Sequence, residues 1–105
     1  MAFHLRRSSR SLREFAEILR YLGQQDVDVG LRFIDRYEET LNAIARFPDL
    51  GSPWESPEPR LDGVRVWPVI GFEKYLILYR RVMEGLLIMH VIHGSRDIER
   101  VLTEG

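Results

Sequence analysis

An α+β fold is the class this sequence predicts: an N-terminal strand, an αα-hairpin, a three-strand antiparallel meander and a short C-terminal helix. Three observations predict it. Two apolar patterns of helical period fill the chain between residues 11 and 47. A stretch rich in proline and glycine, 48–63, follows with no period at all. Then Lys74-Tyr-Leu-Ile-Leu-Tyr-Arg-Arg81 and Leu86-Leu-Ile-Met-His-Val-Ile-His93 form two branched and aromatic runs divided by a gap holding Glu84-Gly85, which reads as a β-hairpin. At 105 residues there is length for one core, so 1–105 is expected to be a single domain.

Taken in order, Ala2 to Arg7 is the first strand candidate, because Phe3 and Leu5 alternate with polar neighbours. The first helix carries Leu12, Phe15, Ala16, Ile18, Leu19 and Leu22 on one side. Ser11-Leu-Arg-Glu14 matches a capping box, with Ser8 or Ser9 as equal candidates for an earlier cap. Gly23 is expected to stop that helix. Asp26 is the candidate cap of a longer one, with Val27, Gly30, Leu31, Ile34, Tyr37, Leu41, Ile44 and Ala45 in its stripe, ending at Phe47 because Pro48 cannot continue it. Gly30 would let the helices approach closely. Both stripes are wider than the ~100° that faces one surface, so each helix is expected to pack on its partner and on the sheet.

The Pro48–Gly63 stretch reads as a surface loop. Val64 to Ile70 is the next strand, placed at an edge by Pro68, which cannot donate to a ladder. After the hairpin, Ile98, Val101 and Leu102 give a short helical pattern. His93, Arg96 and Asp97 thus fall where a strand hands over to a helix, at the rim of a rigid element.

Composition excludes several classes. No segment approaches the roughly 18 apolar residues of a membrane span. There is no cysteine, so disulfides and thiolate metal sites are out, which fits a reducing cytoplasm. The N-terminal decapeptide has no long apolar run of a secretory signal; its Arg and Ser content resembles a transit peptide only weakly. The formal net charge of −1 argues against a protein that grips bare nucleic acid by phosphate neutralisation. His4, His90 and His93 lack metal-site spacing, so neither a metal nor another cofactor is expected. Ser95, His93 and Asp97 are the residue types of a hydrolase triad, but they lie within five positions with no nucleophile elbow. That reading is set aside.

Asp97 is explained by the helix dipole in a first turn capped by Ser95. Arg96 has less structural reason to be there, since a cation at a helix start opposes the dipole. Trp54 reads as the cap of a core edge, Trp67 as core residue or exposed anchor. Arg80 and Arg81 fall on opposite faces of their strand.

These residues carry a resemblance. Pro48-Asp-Leu-Gly51 closing the helical pair, Tyr75-Leu-Ile-Leu-Tyr-Arg80 in the central strand and Val91-Ile-His-Gly-Ser-Arg-Asp-Ile98 at the end are similar to the RelE/ParE family of bacterial toxins. His93-Gly-x-Arg-Asp97 resembles the ParE branch. One departure is His90, which stands ahead of Val91-Ile92-His93 where members carry arginine. The resemblance implies the toxin component of a type II toxin–antitoxin system, inhibiting DNA gyrase stoichiometrically and neutralised by a ParD-like antitoxin, with no catalytic residues of its own. Arg81, His93, Arg96 and Asp97 are then the target-binding candidates. Leu12, Phe15, Leu19, Phe33 and Tyr37, some of which should remain accessible on the free chain, are the antitoxin-binding candidates. The alternative is a RelE-like ribosome-dependent mRNA endonuclease, whose chemistry needs a proton acceptor, cationic stabilisation of the phosphorane and an acid. Arg81, Arg96 and His93 offer some of this, but the terminal segment lacks the tyrosine of RelE-type nucleases. The third class is an inert member of the same fold.

Overall fold

The structure is a computed structural model that describes residues 2–104. Strand β1 (Leu5–Arg7) leads into helices α1 (Ser9–Gln25) and α2 (Val27–Arg46); β2 (Ser52–Pro53) and a single 3-10 turn (Pro59–Leu61) follow, then β3 (Arg65–Val69), β4 (Phe72–Val82), β5 (Gly85–His93) and α3 (Ile98–Glu104). The sheet order is β1-β5-β4-β3-β2, with β1 parallel to β5 and every other pair antiparallel. The predicted meander is therefore the centre of a five-stranded sheet.

Alternation along β4 divides the core. Ile77 and Tyr79 face the helical hairpin, where they join Phe33, Tyr37, Leu41, Ile44, Leu86, Ile88 and Val91. Leu78 faces the other way, into a smaller cluster of Leu61, Val64, Ile92, Val101 and Leu102 that packs the loop and α3 against the back of the sheet. Each fully buried side chain of this size contributes about 1.5–3 kcal/mol relative to exposure. Trp54 seals the smaller cluster and donates its indole N–H to Glu99 at 2.9 Å, which pins the loop to α3. Half-buried Trp67 packs on the larger one.

Several local expectations are corrected. The first strand is shorter than Ala2–Arg7, because pairing with β5 covers only Leu5 to Arg7. Ser8 caps α1, its hydroxyl accepting from the Ser11 amide at 3.0 Å, so Ser11 and Glu14 do not form the capping box. Gly23 does not end α1. It sits inside the helix opposite Gly30, where a Cβ added to Gly30 would lie 3.1 Å from the Gly23 Cα. The two glycines are where the helices touch; the helix ends at Gln25 and Asp26 caps α2 through its side chain to the Asp28 amide.

Pro68 lies on the open stretch of β3, since β2 covers only Arg65 and Val66. At the other margin, β1 covers β5 only from Leu86 to Ile88, and Gly85, at φ 149°, has no room for a Cβ beside the His4 carbonyl. Beyond Ile88 the register of β5 against β4 shifts, leaving Met89 unpaired between Ile88 and His90. Side chains finish what β1 leaves. Ser8 donates its backbone N–H to the Ile88 carbonyl and its hydroxyl to the Met89 carbonyl, and Glu14 accepts the Val91 N–H at 3.1 Å. No helix is long and apolar enough to cross a membrane among the described residues.

Candidate functional site

The end of β5 is built from the core outward. An aromatic series starts with Phe15 against Phe33 and Tyr37, passes from Phe33 to Tyr75 (ring centroids 5.5 Å apart, edge-on), and ends with Tyr75 against His93 at 5.3 Å. Tyr75 and His93 are also direct cross-strand partners, so the imidazole is held on both backbone and ring. Burial pushes the Tyr75 phenol above its ordinary pKa, with Tyr21 adding to the shift, so it stays protonated and able to donate.

His93 is exposed, and its Nδ1 is engaged by Ser95. The Ser95 amide donates to Nδ1 at 3.0 Å and the Ser95 hydroxyl lies 2.8 Å away. A donor on Nδ1 leaves the neutral ring's proton on Nε2. The strand is stopped by Gly94, whose N–H bonds to the Lys74 carbonyl, and by a turn in which the Arg96 amide bonds to the His93 carbonyl. Asp97, not Ser95, caps α3: its carboxylate accepts the Arg100 amide at 3.1 Å and its carbonyl accepts from Val101. Arg96 thus lies just outside the helix, which removes most of its conflict with the dipole. It is exposed and makes no ion pair among the described residues.

Between this turn and α1 runs a groove of about 250 Å³, lined by Glu17, Ile18, Tyr21, Tyr75, His93 and Arg96 among others. Its floor is the uncovered margin of β5. Glu14 lies at the back, 3.1 Å from the His90 Nδ1, and both side chains are nearly buried. His90 therefore serves the α1–β5 junction, and no group of three His, Asp or Glu side chains is placed to hold a metal ion among the described residues.

Residues 5–98 match the family model of the ParE toxin of the type II toxin–antitoxin system parDE. The chain belongs to that family. It is also similar to a chain in a solved structure of the chromosomal ParDE toxin–antitoxin system from P. aeruginosa, at 14% identity, covering 88% of this chain and 96% of that one with a TM-score of 0.68; at that identity the likeness is one of fold. No curated protein matches by sequence.

For a ParE-family chain the placement of the candidates is informative. His93, Arg96 and Asp97 come together in one turn. Arg81 does not join them: it pairs across to Leu86 near the hairpin tip, six residues along β4 from Tyr75, or about 20 Å at the rise of a strand. There its guanidinium stands 3.5 Å from Asp49 and 4.9 Å above the Phe3 ring. Among the candidates on the helices, Leu12 is 52% exposed, and Phe15 and Leu19 are half-buried. Phe33 and Tyr37 are corrected to core residues, at 0% and 1% exposure. Desolvation raises the Tyr37 phenol well above its ordinary pKa, as expected for a ring sealed under two helices.

Glu14, Tyr21 and Tyr75 were missed as site residues. Glu14 had a signal: it shares a helical face with Ser11, Ile18 and Leu22, and a carboxylate inside an apolar stripe needs a partner.

Proposed function

We propose that this ParE-family toxin inhibits DNA gyrase in the cytoplasm and is held by a ParD-like antitoxin. The observation that carries the gyrase reading over the nuclease one is how the β5–α3 turn uses its polar groups. Asp97 is committed to capping, and His93 Nδ1 already receives Ser95. What remains outward is the His93 Nε2–H and the Arg96 guanidinium, two donors on a rigid turn. The Ser95 hydroxyl does lie against that imidazole, but Nδ1 also takes the Ser95 amide and no acid orients the ring among the described residues, so the outward donors suit stoichiometric recognition of a macromolecule better than bond cleavage. Arg81 offers a second, separate contact.

Ribosome-dependent mRNA cleavage has one favouring observation: Arg60, Arg80 and His90 line a common groove behind the sheet. Against it, the His90 Nδ1 is taken by Glu14, and α3 presents no tyrosine. The antitoxin reading draws on the outer helical faces, where Leu12, Tyr21, Val27 and Leu31 are all more than half exposed.

Induction of the chain alone, with paired readouts of DNA breaks and mRNA cleavage, tests the target. Gyrase-linked double-strand breaks and the DNA-damage response should rise. Codon-specific cuts in translated mRNA with intact DNA would overturn the gyrase reading. Co-expression with the small protein encoded beside it should give a tight complex; a well-behaved monomer that ignores that product would overturn the antitoxin reading.

A further inference from the structure

Near the tip of the β4–β5 hairpin, two guanidiniums converge on a small cavity of about 190 Å³, lined by Pro48, Asp49, Gly63, Arg65, Tyr79 and Arg81. Arg65 pairs across to Tyr79, and Arg81 lies two residues further along β4, so both side chains leave the same face of the sheet. Each is held in place. Arg65 donates to the Gly51 carbonyl at 2.6 Å and to the Asp49 carbonyl at 3.4 Å, and Arg81 lies 4.9 Å above the Phe3 ring. Asp49 is the one acid that lines the cavity among the described residues, and it meets both cations with a single oxygen: its Oδ1 lies 3.6 Å from Arg65 and 3.5 Å from Arg81. Charge-assisted hydrogen bonds close to about 2.7–2.9 Å. The guanidiniums are therefore set wider than their resident carboxylate can bridge, and that carboxylate is 72% exposed. Arg46, which ends α2 three residues before Asp49, is exposed and makes no ion pair among the described residues, so cation exceeds anion at this end of the molecule.

We propose that Arg65 and Arg81 clamp a backbone phosphate of duplex DNA, each taking one non-bridging oxygen, with Asp49 the counter-ion that the phosphate displaces. The proposal rests on the gyrase reading given above, since DNA is then the polyanion present at the target. The size of the cavity decides between a free ligand and a polymer. Small-molecule sites run to about 300–1,000 Å³ and are mostly apolar. A cavity of 190 Å³ with two arginines in its wall takes an anionic group alone, so the rest of the ligand lies outside, as it does along a phosphodiester backbone. Paired strands fit better than a single one, because single strands are held by stacking bases on aromatic rings and the Phe3 ring already carries Arg81. One clamp is few phosphate contacts, which agrees with a net charge of −1. It does not grip bare DNA tightly; it adds DNA to a toxin held by the β5–α3 turn about 20 Å away.

Side-chain NMR of the toxin, titrated at low salt with a short duplex, gives the direct test. The Nε–H signals of Arg65 and Arg81 should shift and saturate while that of Arg32, on α2, stays where it is. The fall of log affinity with log salt should lose about 0.9 of its slope in Arg81→Gln, the share of one phosphate, and none in Arg32→Gln. Asp49→Asn removes the counter-ion and should tighten duplex binding about fivefold, the factor that a unit charge at ~4 Å is worth in water. Affinity unchanged or weakened in Asp49→Asn would make the cluster a structural ion pair and overturn the proposal, as would an absence of saturable shifts. Equal shifts with inorganic phosphate at the same phosphate concentration would assign the site to the free anion and overturn the choice of DNA. On gyrase, Arg81→Gln should weaken binding severalfold when DNA is loaded and not at all without it; equal losses would make Arg81 a contact to the protein and refute the clamp. A toxin that ignores gyrase yet shows the Arg65 and Arg81 shifts with duplex sinks the gyrase reading and leaves the phosphate site standing.

Discussion

Replacing Glu14 with alanine probes the contact on which both the fold and the site depend. One carboxylate oxygen accepts the Val91 N–H at 3.1 Å, and the two oxygens lie 3.2 and 3.1 Å from the His90 Nδ1. Both donors are buried, and β1 has already ended, so no strand can take over. A buried donor stranded by loss of its acceptor costs about 1–3 kcal/mol, and here the Val91 N–H and the His90 ring lose theirs together. Allowing for water entering the space left by the side chain, Glu14→Ala should cost ~3 kcal/mol, a fall in Tm of roughly 12–24 °C for a domain of this size. Glu14→Gln separates shape from charge. Its carbonyl still accepts Val91 and its amide donates to His90 once the ring adopts the other tautomer, so the cost should be near ~1 kcal/mol. Adding His90→Leu to Glu14→Ala should recover the imidazole's share but not Val91's. Urea denaturation of the four proteins, with hydrogen exchange at the Val91 amide, measures each part. A Glu14→Ala loss below about 1 kcal/mol, or unchanged protection at Val91, would refute the reasoning.

Arg96→Ala should leave stability and antitoxin binding nearly unchanged while toxicity falls steeply; a variant that melts normally and stays fully toxic removes Arg96 from the site. Gly30→Ala should destabilise by about 1–3 kcal/mol, because the added methyl meets the Gly23 backbone and neither helix can yield without repacking. Tyr79→Phe should cost about 1–3 kcal/mol, since its hydroxyl receives the Gly51 N–H and donates to the Pro48 carbonyl, both at 2.8 Å. Burial raises the phenols of Tyr37, Tyr75 and Tyr79, so the stability they contribute is complete below about pH 10, the unfolded value, and is lost as pH rises toward the folded values. Denaturation midpoints should therefore fall as pH rises from about 10 to about 12, and no fall in that window would refute the assignment.

The elements with strong periods were legible. The α2 stripe, the Asp26 cap and the stop at Pro48 follow from 3.6-residue spacing and from proline's missing N–H, and the hairpin follows from alternation through Ile77, Leu78 and Tyr79. What failed depended on contacts distant in sequence. Gly23 reads as a stop because glycine ends helices, yet here its bare Cα is the surface against which Gly30 packs, and tertiary contact overrides propensity. The dipeptide β2 and the parallel docking of β1 have no local signal, since each exists only through its partner strand.

The site divides along the same line. The Gly94 turn and the exposure of His93 and Arg96 are local, and the sequence supported them; the segregation of Arg81 is not. A strand's residue numbers say which face a side chain takes but not which end of the hairpin lies near the helix that follows, and Arg81 and Arg96 sit at opposite ends of one two-stranded unit. Phe33 and Tyr37 failed for a related reason. A stripe wider than one surface can mean an exposed remainder or a second buried contact. The hairpin uses both: the inner edge of α2 closes over β4 and β5, and Leu12, Tyr21, Val27 and Leu31 make up the remainder. The exposed apolar surface of the helical hairpin therefore lies on α1 and the outer edge of α2, not on the aromatic series beneath. Because that series ends on Tyr75 and His93, rigidity at the β5–α3 turn is inherited from the core and does not require the partner to be bound.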